Sequence, residues 1–313
     1  MGNNVSRGIT VTPRSVIIVS LLSAGYLLLT WWLVGLRSDH FFLVALCNLL
    51  FYASPVTRRF LVTFFGFAIY WMIFDYMKAF PNYRYNPVHI ADLYNFEKHL
   101  FGIEYHNQVL TANEYFRTTG SVFLDVMTGL FYLCWIPVPL GFAFYLFFSK
   151  RPKQAILFLH AFVIVNILGF IGYYTYPAAP PWYVQQYGFN FHPLTGEGIA
   201  GLARFDDYFH AHIFSSIYSR GSNVFAAMPS LHSAYPVIVL YYSLKNRLGW
   251  VNIVFATVVA GIWFAAVYTS HHYIADVIAG ILCASAGIGL LELLMTRSRG
   301  FKNYIEKYTS LVR

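Results

Sequence analysis

Two short strings about forty residues apart hold the side chains best suited to chemistry: Met228-Pro229-Ser230-Leu231-His232-Ser233 and Ser270-His271-His272-Tyr273-Ile274-Ala275-Asp276. Each opens a long apolar run, so the two can meet at one end of a helix bundle. A His followed four residues later by an Asp lies on one helical face. The carboxylate of Asp276 can then accept one ring N–H of His272 and leave the other nitrogen free as a nucleophile. His232, on a neighbouring helix, is placed to donate a proton. This constellation fits metal-free phosphoryl transfer through a phosphohistidine. Pro229 and Ser230 suit a helix start, where free backbone N–H groups and the positive end of the helix dipole favour a bound phosphate. Ser230 and His271 are candidate phosphate contacts.

Other chemistries fit less well. For a metal site, His232, His271, His272 and Asp276 would have to converge on one ion. Adjacent helical histidines point about 100° apart and converge poorly. No metal and no cofactor is expected. Ser230 or Ser233 as a hydrolase nucleophile lacks a strand–turn–helix elbow.

The elements that must carry these residues are membrane helices. Of 313 residues, 58% are hydrophobic, 20% aromatic and only 11% charged, the composition of a membrane protein. The net charge of +8 follows the loops rather than one face, so nucleic acid is not an expected partner. Cys47, Cys134 and Cys283 all lie in apolar segments and form neither a zinc pattern nor a disulfide framework. Eight apolar segments run over residues 15–36, 40–54, 60–79, 122–149, 154–176, 229–244, 249–269 and 272–296. The second is the shortest for a span. The first is too long for a cleaved signal and reads as a membrane helix. The expected fold class is all-α, a polytopic bundle of about eight transmembrane helices.

With the N-terminus inside, the inner side carries fourteen of the 21 Lys and Arg residues and the outer side seven, among them Arg84, Arg204 and Arg220. The positive-inside rule favours this orientation and puts both His strings on the outer side, periplasmic or lumenal. Two outer segments are long. In residues 80–121, Leu93, Phe96, Leu100 and Ile103 recur at helical spacing and predict an interfacial amphipathic helix. In residues 177–228, Pro177, Pro180, Pro181, Gly188, Gly196, Gly198 and Gly201 break helices. The aromatic content of that segment predicts a lid over a membrane-level pocket. Asp75, Asp125 and His160 read as side chains bonded within the bundle or near its outer edge.

At Pro229–His232 and His272–Asp276 the chain resembles the type 2 phosphatidic acid phosphatase superfamily, with its Pro-Ser-small-His and His-x-x-x-Asp motifs. It is more similar still to fungal inositol phosphorylceramide synthase and its bacterial relatives. Three strings carry that likeness: Tyr176-Pro177-Ala178-Ala179-Pro180-Pro181-Trp182-Tyr183, Gly201-Leu202-Ala203-Arg204-Phe205-Asp206 and Phe225–Ser233. The resemblance runs over residues 80–296, weaker at first through Pro87-Val88-His89 and Glu97. Two features depart from the broad superfamily. Ala266 stands where an Arg is usual, six residues before the nucleophilic His, and the first motif has no outer-side equivalent.

The resemblance implies a six-helix phosphatase-like core and three regions: N-terminal transmembrane helices (1–79), a catalytic membrane domain (80–296) and a basic cytoplasmic tail (297–313). It implies transfer of phosphoinositol from phosphatidylinositol to ceramide, with release of diacylglycerol, in a bacterial cytoplasmic membrane or a Golgi membrane. His272 is then the nucleophile, Asp276 its orienter and His232 the acid and base. Arg204, in a matching string, is first candidate for the phosphate clamp, ahead of Arg84 and Arg220. Trp182 and Tyr183 would line the lid, and Asp206 and Asp207 would meet inositol hydroxyls. The alternatives are a lipid phosphate phosphatase or a transferase of another phospholipid headgroup. An accessory subunit is compatible with this reading and not identified by it.

Overall fold

The computed structural model describes residues 9–193, 198–219, 221 and 223–312. In chain order the helices are α1 (Pro13–Leu33), α2 (Ser38–Ala53), α3 (Pro55–Tyr76), α4 (Ala91–Phe101), α5 (Ala112–Thr119), α6 (Val122–Leu133), α7 (Pro137–Phe148), α8 (Pro152–Thr175), α9 (Pro181–Tyr187), α10 (Ala203–Phe209), α11 (Ile213–Tyr218), α12 (Leu231–Lys245), α13 (Val251–Tyr268), α14 (Ile274–Arg297) and α15 (Arg299–Val312). A small antiparallel hairpin, β1 (Ile103–Tyr105) and β2 (Gln108–Leu110), joins α4 to α5.

The all-α class expected from composition is present, and each of the eight apolar segments forms helix. Among the described residues, five helices are long and apolar enough to cross a membrane: Pro13–Leu33, Pro55–Ala79, Pro152–Thr175, Val251–Tyr268 and Ile274–Arg297. The chain is a multi-pass membrane protein. The expected span at 122–149 is broken into α6 and α7, which meet at a bend of 40° and make a sixth crossing only as a pair. The other two expected spans are α2 and α12, of 16 and 15 residues. Both fall short of the ~20 residues that a bilayer asks for, so by length and composition the described residues offer five spans, or six with the bent pair.

The chain divides into two compact units. One comprises the segments up to Phe80, Ala143–Val163 and from Leu291 on. Its polar centre is Asp75, which accepts from Arg37 at 2.7 Å, Lys78 at 3.1 Å and the His40 ring at 3.1 Å. A buried carboxylate among apolar helices needs such partners. Phe60 and Phe64 pack on Phe144 and Phe147. His160 bonds the Ile156 carbonyl and the Tyr304 hydroxyl, as a bundle histidine should.

The second unit, Pro81–Phe142 and Ile164–Leu290, holds both His strings. Its packing depends on close approach at glycines. A Cβ on Gly280 of α14 would lie 2.2 Å from the Ser230 carbonyl, and one on Gly172 of α8 would lie 2.6 Å from the Pro229 ring. No larger residue lets the start of α12 settle so deeply between α8 and α14.

The described residues of the two long segments are folded rather than open. Residues 80–121 contain an amphipathic helix, α4, where the spacing predicted one. Its buried positions are Leu93 and Glu97, while Phe96 and Leu100 are about half exposed. The described part of 177–228 forms α9, α10 and α11, with Trp182, Tyr183, Val224 and Phe225 in one buried cluster. Gly196, Arg220, Arg7 and Arg313 lie outside the described residues.

Candidate active site

Ser230 caps α12. Its hydroxyl accepts the Ser233 N–H at 3.3 Å and is bonded by the Ser233 hydroxyl at 3.0 Å. Its own N–H donates to the Asp276 carbonyl at 3.0 Å, tying the start of α12 to the first turn of α14. The Ser230 hydroxyl is therefore already engaged in the cap, and what the α12 start presents further are backbone groups. His232 sits in this first turn, edge-on to Trp135 and beside Tyr132.

His272 lies in the short turn between α13 and α14. The N–H groups of His271 and His272 both donate to the Ala266 carbonyl, at 3.1 and 3.0 Å. Ser270 makes the turn in the left-handed region, φ 61°. Ala266, where the superfamily pattern has Arg, thus supplies the carbonyl on which this turn closes.

The turn brings the two strings together. His232 Nδ1 lies 3.2 Å from His272 Nε2. On the other side of the ring, His272 Nδ1 is 3.6 Å from Asp276 Oδ2. That separation is within ion-pair range and just beyond hydrogen-bond reach. Asp276 Oδ2 accepts the Tyr273 N–H at 2.8 Å, half of a capping box for α14. His272 is buried, and that burial pushes its imidazolium down to about 4, so the ring is neutral near pH 7 with a lone pair to offer. Burial, with His272 beside it, likewise holds His271 well below the ordinary range. His271 stacks obliquely on Tyr132 and Tyr218 and bonds Thr269 Oγ1 at 3.1 Å.

Arg204 stands on α10. Its Nε donates to Asp125 Oδ1 at 2.6 Å, and its guanidinium lies 5.2 Å from the centre of the Tyr268 ring. The Tyr268 hydroxyl donates to the same carboxylate oxygen at 2.8 Å. Arg204 is thus held at one edge by Asp125. Its buried Nη2 has no hydrogen-bond partner among the described residues, and neither has Asp276 Oδ1. A guanidinium fixed on one side and unsatisfied on the other is suited to an anion. Arg84, the second clamp candidate, is exposed on the short helical turn Asn82–Arg84. Arg220 lies outside the described residues.

The segment expected to form a lid is stitched to the His272 turn. The Trp182 N–H donates to the Ser270 carbonyl at 3.0 Å and the Gly201 N–H to the Thr269 carbonyl at 2.9 Å. Trp182 and Tyr183 are interior residues, at 4% and 0% exposure. The Tyr183 hydroxyl donates to the Asn190 carbonyl and accepts the His192 N–H. Asp206, expected to meet a substrate hydroxyl, directs both oxygens into the protein: Phe214 N–H at 3.1 Å, Ser215 N–H at 3.0 Å and the Ser215 hydroxyl at 3.1 Å. It caps the start of α11.

Sequence reasoning missed three polar partners. Asp125 was legible as a carboxylate in an apolar run that needs a partner, but its pairing with Arg204 was not. Glu97 and Asn113, both fully buried, bond the backbone around His272. Glu97 fell in a matching stretch without a role, and Asn113 had no signal at all.

Comparison with known proteins bears on this geometry. The family model described as PAP2 superfamily matches residues 101–290. The phosphoinositol dihydroceramide synthase of Bacteroides thetaiotaomicron is 44% identical over 303 residues, covering 96% of this chain and 99% of that protein. The inositol phosphorylceramide synthase of Candida albicans is 29% identical over 56% of this chain and 40% of its own length. The catalytic subunit of that enzyme from Saccharomyces cerevisiae is 27% identical over 72% of this chain and 55% of its own length. No solved structure matches.

Proposed function

Because this chain belongs to the PAP2 superfamily, we propose that it transfers phosphoinositol from phosphatidylinositol to the primary hydroxyl of a ceramide or dihydroceramide, releasing diacylglycerol. The reaction class rests on one observation: His272 Nε2 faces His232 Nδ1 at 3.2 Å, with a carboxylate behind the same ring. The headgroup and acceptor rest on the likeness to the Bacteroides thetaiotaomicron synthase over nearly the whole of both chains.

The steps follow from the geometry. His272 Nε2 attacks phosphorus, and the entering phosphate replaces the hydrogen bond between the two rings. The P–O bond to diacylglycerol breaks as His232 gives its proton to the leaving oxygen. Asp276 orients the His272 ring and stabilises its cationic phosphoryl form; their 3.6 Å separation closes as charge develops. The acceptor hydroxyl then loses its proton to His232 and attacks phosphorus, and the P–N bond breaks. Arg204 Nη2 and the backbone N–H groups at the start of α12 stabilise the phosphoryl oxygens. The segment pinned to Ser270 and Thr269 keeps water from competing with the acceptor. Residues 80–296 are the catalytic domain in this reading, and the positive-inside balance supports an active end on the periplasmic or lumenal side.

The test is headgroup transfer by purified protein in detergent with chelator present, using phosphatidylinositol and labelled ceramide. Inositol phosphorylceramide made by the intact protein and not by His272→Ala is the expected result. Free phosphate from phosphatidate with no ceramide product would replace the transferase reading with a phosphatase.

A further inference from the structure

A turn that carries a nucleophile is mobile unless its backbone groups are tied down. Around His272 they are tied by two side chains from a distant part of the chain. Asn113 Nδ2, on α5, donates to the Val267 carbonyl at 2.7 Å and the His272 carbonyl at 2.9 Å. It bridges the end of α13 to the nucleophile's own peptide. Glu97, on α4, accepts the Ile274 N–H at Oε1, 2.9 Å, and the Ala275 N–H at Oε2, 3.1 Å. These are the first two N–H groups of α14, left without partners inside the helix.

Both side chains are 0% exposed. Burying a carboxylate is unfavourable unless its charge is met, and Glu97 meets no cation among the described residues. What favours it is the positive end of α14. Both oxygens are committed to two adjacent amides, next to the peptide that Asn113 holds. Asp276, whose carboxylate must stay behind the His272 ring, is the next residue along α14.

We propose that Glu97 and Asn113 are positioning residues for the transfer reaction, gripping the backbone on either side of His272 so that its Nε2 stays aimed at phosphorus. This rests on the transferase reading above. Neither residue touches the reacting atoms, so the effect of losing them belongs in kcat. A displacement of about 1 Å at a nucleophile is enough for a loss on the order of 100-fold.

The experiment compares Glu97→Gln, Glu97→Asp, Asn113→Ser and the intact protein in two assays. The first is steady-state transfer, with kcat and KM resolved for both lipids on protein verified as monodisperse. Glu97→Gln puts an amide donor against an N–H and is expected to lower kcat about 10- to 100-fold, with KM for each lipid within about twofold of the intact protein. Glu97→Asp keeps the charge and is expected to fall between. Asn113→Ser removes the other arm of the grip and is expected to act in the same direction. The second assay is amide hydrogen exchange over residues 270–276, which reads the grip whatever the reaction. Faster exchange there in the variants, with the middle of α13 still protected, is expected.

Unchanged exchange and unchanged kcat would overturn the proposal, as would a rise in KM alone. If Glu97→Gln does not fold, Asn113→Ser decides in both assays. An intact protein that makes no product refutes the transferase reading, while exchange still decides whether Glu97 and Asn113 hold the turn.

Discussion

At the scale of single residues, the proposed reaction separates a nucleophile from what steers it. His272 has one nitrogen toward His232 and the other toward Asp276, so its two neighbours act at different steps. Asp276→Asn leaves the capping bond to the Tyr273 N–H in place but removes the charge that stabilises a cationic His272. The expected loss is in kcat, on the order of 10²–10⁴-fold, with KM for phosphatidylinositol little changed, measured by steady-state transfer. Arg204 has a different signature. Its Nε is held by Asp125 and its Nη2 is available. Arg204→Lys keeps one charge but cannot bond Asp125 and an anion through separate nitrogens. We expect kcat/KM to drop about 10- to 100-fold, and binding of a non-reacting phosphatidylinositol analogue to weaken in parallel. Unaltered binding and rate would remove Arg204 from the clamp.

At the scale of elements, the site is a meeting of two helix starts, α12 and the first turn of α14, and the contact between them is a glycine. Gly280→Ala puts a methyl group 2.2 Å from the Ser230 carbonyl, so α12 must retreat and carry His232 from His272. Overpacking of this kind costs about 1–3 kcal/mol. A lower Tm together with a lower kcat is expected, and a variant with full activity would show that the approach of α12 to α14 is not needed. The pH dependence belongs to α4. Burial raises the Glu97 carboxyl from the ordinary 4.5 to about 7, against the pull of the Ile274 and Ala275 N–H groups; Asp276 and Tyr273 are the titratable groups facing it. His272 stays neutral far below that, at about 4. A proton on Glu97 places an O–H against an N–H at the start of α14, so an acid limb of kcat near pH 7 is the expected outcome of a pH–rate measurement. The rate falls as pH falls through about 7, and Glu97→Gln is slower and flat over that range. The stability term has the opposite sign. Folded Glu97 holds its proton up to about 7 and the unfolded chain only to 4.5, so this group's contribution to stability declines as pH rises through that window. The helices and the His pair were legible in the sequence, because apolar runs and the histidines that open them are local patterns. Glu97 was not. The stripe of Leu93, Phe96 and Leu100 marks an apolar face, but Phe96 and Leu100 are left exposed while Leu93 and Glu97 face inward. The partners that make this preferable lie 177 and 178 residues away in the chain. The same holds for Arg204 and Asp125, 79 residues apart.

At the scale of the whole molecule, lipid chemistry needs the His pair at the level where headgroups lie, and a polytopic chain can offer only one of its two ends. In the proposed orientation, His232, His272 and the β1–β2 hairpin lie on the outer side, and the turn after α12, with Arg247, lies on the inner side. On the proposed reaction and orientation, both lipid substrates are presented in the outer leaflet, and the released diacylglycerol appears there. The hairpin tip at Asn107 and the α12–α13 turn at Arg247 are both exposed, so each can report its side. Cys47, Cys134 and Cys283 are first replaced by Ser, and a single Cys is placed by Asn107→Cys or Arg247→Cys. A membrane-impermeant maleimide added to sealed, inner-side-in vesicles is expected to label the first variant at once and the second only after the membrane is opened. The reverse pattern would invert the topology, put the site against the inner leaflet and require both lipids to be drawn from there. Labelling of both without opening would mean that the loops after α12 and after β1 share a side. The α12 helix, short for a span and carrying Pro236 within it, would then be a re-entrant element that enters and leaves the membrane on the face that holds the histidines.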